Sequence, residues 1–309
     1  MTELAGSSST PPGLADLHRH LDGSLRASTL EELARAAGRY VPRRLRFTPG
    51  MGLEEALSKF QFTLSVLQRA EAVRRVAAEI CEDAAADGVT TLEVRFAPQL
   101  HQGDALEDVV DAALDGLAGR AGLILCGLYG ESPEVLRRNV ELAATRPGVV
   151  GIDLAGGPTP SHRWILEDYA PAFRRAAELG LGRTVHAGEG RPPEEIAIAI
   201  DTLGAQRIGH GTTLLEEPAV LARVLERRVV IEACPTSNVH TGILADPRDH
   251  PMARWLDHGV RVCVNTDNTL LSDITASREL ANVRRIAGMT AAGVAAIVQT
   301  GHDAAFRRP

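Results

Sequence analysis

Eight short apolar runs punctuate the chain: 13–23 (GLADLHRHLDG), 89–98 (VTTLEVRFAP), 123–130 (LILCGLYG), 149–157 (VVGIDLAGG), 182–190 (GRTVHAGEG), 207–212 (RIGHGT), 229–238 (VVIEACPTSN) and 260–268 (VRVCVNTDN). Each begins apolar and runs out into Gly, Pro, Asp, Asn or His, as a buried parallel strand does where it meets a loop. Between them lie stretches such as AEAVRRVAAEICEDAAADG, ALEDVVDAALDGLAGRAG and YAPAFRRAAELG, with apolar residues three and four apart and a closing glycine. That spacing predicts amphipathic helices.

Strand and helix alternating eight times predict a closed α/β barrel of the (β/α)₈ type, occupying 13–309 as one domain. The stretch from about 26 to 80 is longer than one crossover needs. It is expected to hold extra helices between the first and second strands, including LEEALSKFQFTLSVLQ, laid over the barrel mouth. Residues 1–12 are polar and read as a disordered lead-in with neither the charged nor the apolar segment of a secretory signal.

Composition narrows the partners. A net charge of −7 lacks the basic footprint that a nucleic-acid phosphate backbone requires. No apolar run approaches the ~20 residues of a membrane span. The four cysteines, Cys81, Cys126, Cys234 and Cys263, are far apart and form no C-x-x-C, which fits reduced thiols in a cytoplasmic protein.

Candidate chemistry gathers at the C-terminal ends of the predicted strands, the face where such barrels carry catalysis. His18 and His20 are two apart on the first strand, so both imidazoles point the same way, into the mouth. The fifth strand ends in His186-Ala-Gly-Glu189, the sixth in Gly209-His210-Gly211 and the eighth in Thr266-Asp267-Asn268. Three histidines and a carboxylate from three strands suit a catalytic zinc with a position left for water, and a further His and Glu suit proton handling beside it. The other six of the ten histidines (His101, His162, His240, His250, His258 and His302) fall in predicted loops or helices and are expected to be solvated or hydrogen-bonded.

The ordered set H-x-H-L-D-G, D-L-A-G, H-A-G-E, G-H-G, C-P-T-S-N and N-T-D, spread over about 14–280, closely resembles the adenosine deaminase family of the amidohydrolase superfamily. The resemblance implies a zinc-dependent hydrolytic deaminase converting a 6-aminopurine nucleoside, adenosine or 2′-deoxyadenosine, to the 6-oxopurine and ammonia. It makes His18, His20, His186 and Asp267 the ligands of one Zn²⁺ per chain. Glu189 becomes the acid that protonates purine N1, and His210 the base that orients and activates the attacking water. Gly156 would offer its amide to purine N3, Asp22 would bind sugar hydroxyls, and Asn268 and Phe60 complete the substrate-binding set. A one-metal site is expected, because the bridging lysine of binuclear amidohydrolases has no counterpart: the sole lysine, Lys59, lies in the inserted helical stretch. A cytidine-type deaminase is excluded, since its P-C-x-x-C is missing.

Two positions depart from the family pattern. Familiar members read T-D-D where this chain has Thr266-Asp267-Asn268, and carry an acid after D-L-A-G where this chain has Gly157. Two negative charges are therefore missing from the rim. An alternative substrate bearing its own carboxylate, aminodeoxyfutalosine of menaquinone biosynthesis, fits that loss. A family member that kept the barrel as a binding or signalling protein is the other alternative, although every inferred catalytic position is filled.

Overall fold

The computed structural model describes residues 13–159 and 161–307; the lead-in expected over 1–12 lies outside them. Each of the eight runs contains a strand: β1 Leu14–His20, β2 Val89–Phe96, β3 Gly122–Leu128, β4 Val149–Ala155, β5 Gly182–Ala187, β6 Arg207–His210, β7 Val230–Ala233 and β8 Arg261–Val264. They pair in parallel in the order β1 to β8. The barrel closes between β8 and β1 through a bridge of Arg19 with Asp267, where Asp267 N donates to His18 O and His20 N to Asp267 O, both at 2.8 Å.

The helices are α1 Ala27–Ala36, α2 Leu53–Val66, α3 Ala70–Ala86, α4 Leu106–Leu117, α5 Pro133–Ala144, α6 Ala170–Glu178, α7 Glu194–Asp201, α8 Pro218–Glu226, α9 Pro235–His240, α10 Met252–Asp257, α11 Ala276–Val283 and α12 Ala291–Ala304. The α1 and α2 helices are the expected insertion, and α2 lays Leu53, Ala56, Leu57 and Phe60 over the mouth. The outer helices bury their apolar stripes against the strands in one continuous core that includes Val73, Val76, Ile80, Val109, Leu123, Val140, Ile152 and Phe173. None of the described helices is long and apolar enough to cross a membrane. All four cysteines are buried and unpaired, as expected.

Phe306, just past α12, lies at the base of the barrel against Gly151 and Gly182 and under the Arg207 guanidinium, which stacks 3.5 Å from the ring centre. A Cβ at Gly182 would come within 2.1 Å of that ring, so glycine is what admits it.

His250 contradicts the expectation for the spare histidines. It is 1% exposed, stacks edge-on to Trp255 at 4.9 Å, and neither ring nitrogen has a hydrogen-bond partner. Burial pushes its pKa down to about 3. His101 and His240 are also buried, each with one unpartnered nitrogen. His302 fits the expectation, spanning Thr91 Oγ1 and Gly13 O at 2.7 Å each.

For His250 the unfolded chain binds a proton near pH 6.5 and the folded chain only near 3, so stability falls as pH drops through that window. Between pH 7 and pH 5 the loss from this one residue is about 2 kcal/mol, at ~1.4 kcal/mol per pH unit below 6.5. Urea denaturation should show His250→Leu losing about that much less than wild type over the same interval. Parallel losses in the two proteins would refute this account of the acid limb.

Candidate active site

The alternation of β1 sets His18 and His20 on one face, with ring centres 5.3 Å apart. His186, near the end of β5, brings its ring to 4.6 Å from His18 and 5.3 Å from His20. The Nε2 atoms of His20 and His186 are 3.3 Å apart. Asp267 Oδ1 lies 3.4 Å from His20 Nε2 and 3.6 Å from His18 Nε2. His18 Nε2 is buried without a partner. On the far sides of the rings, His18 Nδ1 donates to Glu232 Oε2 at 2.7 Å and His186 Nδ1 to Asp153 Oδ1 at 3.2 Å. Carboxylates on Nδ1 direct the Nε2 lone pairs of these two rings inward, as in metal-binding histidines. The donor set therefore fits zinc: lone pairs and a carboxylate oxygen facing one another in a dry site call for a cation.

Electrostatics agree with neutral imidazoles at two positions. Burial, joined by the neighbouring rings and Arg95, pushes His18 and His20 well down. At His186 burial acts the same way, but the Asp153 carboxylate outweighs it and the net shift is upward. Cys234 also approaches His18 and His210 closely enough to form a second triad. Burial and the Asp267 and Glu232 carboxylates push its thiol well up, away from the thiolate a metal needs.

Beneath the rings lies a layer invisible to motif reading. Fully buried Arg95, on β2, donates from Nη1 to Asp153 Oδ2 and from Nη2 to Glu232 Oε2, each at 2.8 Å, and to Leu17 O at 2.6 Å. Burial alone would raise both carboxyls. His186 and Arg95 outweigh it at Asp153, and Arg95 and Arg207 at Glu232, so both are held below the usual carboxylate range. Thr184 Oγ1 donates to Glu232 Oε1 at 3.0 Å.

Above the rings is a small cavity of about 50 Å³ lined by His20, Phe60, Gly156, His186, Glu189, His210, Asp267 and Asn268, with α2 as its roof. Ligand pockets measure ~300–1,000 Å³, so with α2 in this position the cavity is smaller than a typical ligand pocket. Of the sequence-predicted set, His18 lies below this cavity, and Asp22 is not among its lining residues. Asp22 is nonetheless buried beside the site with Oδ1 unpartnered, and burial with the nearby Asp267 raises its pKa to about 7.

Glu189 has its pKa pushed up to about 7 by burial, against the opposing pull of Arg191. Its Oε1 is 3.7 Å from His210 Nδ1, which in turn lies 3.1 Å from Asn238 Nδ2. His210 (φ 65°) and Asp267 (φ 60°) both occupy the left-handed backbone region, uncommon for non-glycine residues and concentrated at functional sites. Gly209 precedes His210 because a Cβ there would press to 3.0 Å on the His18 ring.

Sequence reading missed Asp153, Glu232, Arg95, Asn238 and Arg191. Asp153 and Asn238 sit inside the D-L-A-G and C-P-T-S-N motifs, which was the available signal; Arg95 and Glu232 gave none. Arg191 fills the space beside Gly157, where an added Cβ would meet its Nη1 at 2.6 Å. Its Nε bonds Glu195, its Nη2 donates to His186 O at 3.1 Å, and its Nη1, 3.9 Å from Glu189 Oε2, is buried without a hydrogen-bond partner.

An eight-stranded parallel barrel with an imidazole–carboxylate cluster at its C-terminal strand ends defines a hydrolase of the amidohydrolase superfamily. Comparison narrows the class: the model of the family described as adenosine deaminase matches residues 13–308, and the chain belongs to that family of hydrolytic deaminases. The adenosine deaminase of Enterococcus faecalis is 37% identical over 283 residues, covering 85% of this chain and 83% of that protein. That of Serratia proteamaculans is 36% identical over 317 residues, covering 95% and 93%. Among solved structures, adenine deaminase from Arthrobacter aurescens superimposes with a TM-score of 0.86 at 27% identity, covering 96% of this chain and 94% of that one. The N6-mAMP deaminase of Arabidopsis gives 0.85 at 26%, with the same coverage.

Removing Arg95 leaves Asp153 without a guanidinium and Glu232 with Arg207 alone. Arg95→Met should cost about 3–5 kcal/mol of stability in denaturant titration, the usual penalty for breaking a buried ion pair on one side. A cost below about 1 kcal/mol would show that the network does not depend on this guanidinium.

Proposed function

We propose that the chain hydrolyses the 6-amino group of adenosine or 2′-deoxyadenosine, giving inosine or its deoxy form and ammonia, with one zinc held by His18, His20, His186 and Asp267. The observation that carries this reading is the convergence of the three Nε2 atoms and Asp267 Oδ1 directly below a cavity walled by Glu189 and His210. The relatives named adenosine deaminase, similar over most of their length, support the same substrate. Zinc, when bound, supplies the Lewis acidity that makes water nucleophilic at neutral pH.

The chain's own groups account for the remaining steps. Glu189, with a pKa near 7, is substantially protonated at neutrality and gives its proton to purine N1 as water adds at C6. His210, fixed by its strained backbone and by Asn238, orients that water and takes its proton. Transfer of the His210 proton to the amino group lets ammonia leave, while the C6 hydroxyl gives its proton to the Glu189 carboxylate and becomes the carbonyl of the 6-oxopurine. Gly156 lines the cavity at φ 79° with open space where a Cβ would stand, so the purine edge can approach its backbone. Asn268 lines the same cavity, and its Nδ2 amide can donate a hydrogen bond to N7. Phe60 supplies an apolar surface from the roof, and Asp22 is the remaining acceptor for sugar hydroxyls.

A second reading has one observation in its favour. Gly157 leaves the rim without an acid, and the space beside it holds the Arg191 guanidinium with Nη1 unspent. That cation would welcome the carboxylate of aminodeoxyfutalosine.

Metal analysis should give one zinc per chain, and Glu189→Gln should keep it while kcat falls by ~10²–10⁴-fold, the usual worth of a general acid. Two zincs per chain, or near wild-type turnover in the variant, would overturn the assigned roles. A panel of adenosine, deoxyadenosine, adenine and aminodeoxyfutalosine, followed by ultraviolet loss of the 6-amino chromophore, should rank the first two highest in kcat/KM. A preference of about a hundredfold for aminodeoxyfutalosine, roughly 2.7 kcal/mol, would put the second reading in place of the first.

A further inference from the structure

At the opposite end of the barrel from the deaminase site, the N-terminal ends of β5 to β8 line an open concavity of about 950 Å³. Its size suits a small molecule. Arg183, Arg227, Arg228, Arg261 and Arg307 line it, and its floor is Arg207. Arg207 is neutralised by Glu93 and Glu232. The other five are not. Among the described residues, Arg227, Arg228, Arg261 and Arg307 make no ion pair and no side-chain hydrogen bond. Arg183 spends Nε on Gly204 O at 2.8 Å and Nη1 on Leu181 O at 3.1 Å, both uncharged carbonyls. Asp303 is the one carboxylate among the described lining residues. Five uncompensated guanidiniums thus converge on one concavity in a chain whose net charge is −7.

Backbone geometry supplies an independent sign. Where helices turn into strands at this end, the chain places glycine in the left-handed region: Gly88 before β2, Gly180 before β5, Gly204 before β6 and Gly259 before β8, at φ 65–83°. Before β7 the residue in that conformation is Arg228, at φ 53°. Glycine adopts this conformation at no steric cost and an arginine does not. Ala118, before β3, is also left-handed at φ 49°, and Arg228 is the one charged residue among these positions. Burial also pulls the Arg183 pKa down with no carboxylate acting to raise it.

Guanidinium forks match phosphate oxygens bidentately, and five of them exceed what one carboxylate can satisfy. We propose that this basal cavity is a binding site for a phosphate-bearing small molecule, held by Arg183, Arg227, Arg228, Arg261 and Arg307. The net charge of −7 disfavours a nucleic acid.

The test is the melting temperature of the purified full chain with inorganic phosphate, tripolyphosphate or ATP, against sodium chloride at matched ionic strength. At least one phosphate compound should raise Tm beyond chloride, and the one that saturates at the lowest concentration identifies the source. Arg228→Gly should leave Tm in chloride unchanged or higher, because the left-handed strain is relieved. It should also raise the half-saturating concentration about tenfold or more. Arg261→Ala should weaken the phosphate response without any gain in Tm, and neither variant should alter deaminase turnover. No phosphate effect beyond chloride would overturn the proposal. So would a wild-type response in the Arg228→Gly, Arg261→Ala double variant, which would place the phosphate compound elsewhere, including the purine site.

Discussion

One buried guanidinium decides how the rest of the site is built. Arg95 sits between Asp153 and Glu232, and these two carboxylates each fix one imidazole of the cluster, His186 and His18. Taking three charges out of water costs several kcal/mol per ion, and only close, fully hydrogen-bonded geometry offsets it. The carboxylates come close to that condition: each is bound by Arg95 and a histidine, and Glu232 also by Thr184 and the Arg207 ion pair, while the Nε atoms of Arg95 and Arg207 are left without a hydrogen bond. A hydrophobic layer of the same volume would be at least as stable, yet it would leave the imidazoles free to turn. The column continues downward through Arg207 to Glu93, which accepts from Phe306 N. Ionic contacts therefore run along the barrel axis from the cluster to its base.

Closure of the barrel and completion of the cluster are one event. The seam between β8 and β1 is made by the backbone of Asp267 with His18 and His20, the segments that also carry the proposed ligands. Those two hydrogen bonds hold Asp267 in its left-handed conformation. Ser237, bonded to Asp267, and Asn238, against His210, bring α9 into the same assembly. A slip of one residue at the seam would turn every imidazole of β1 away from the mouth.

Much of this was legible in the sequence because it rests on short-range rules. Period two put His18 and His20 on one face, and runs ending in His, Glu and Asp marked the mouth. The extra length between β1 and β2 announced the roof that α2 provides. What escaped depends on neighbours remote in the chain. Glu232 and Arg95 lie 137 residues apart, and nothing local distinguishes a charged strand residue facing a barrel axis from one facing solvent. Asp153 was visible as a motif letter, but its partner His186 becomes its partner only after two strands pair. His250 failed for the same reason: its loop looks solvated until Trp255 covers it.

The proposed proton donor illustrates how one pair of charges is set by a third. At an effective dielectric of ~20, opposite charges about 4 Å apart attract by ~4 kcal/mol, or about three pKa units. An Arg191 devoted to Glu189 would keep that carboxyl ionised at neutrality and useless as an acid. Arg191 sits 3.9 Å from Glu189, but Glu195, 2.8 Å from the same guanidinium, offsets part of that attraction with its own negative charge, so burial prevails and the Glu189 pKa settles near 7. The same division leaves Nη1 unspent beside Gly157. Acid strength and the charge of the rim are therefore coupled through one side chain. A substituent that draws Arg191 toward the rim also withdraws it from Glu189, and makes the acid easier to keep protonated.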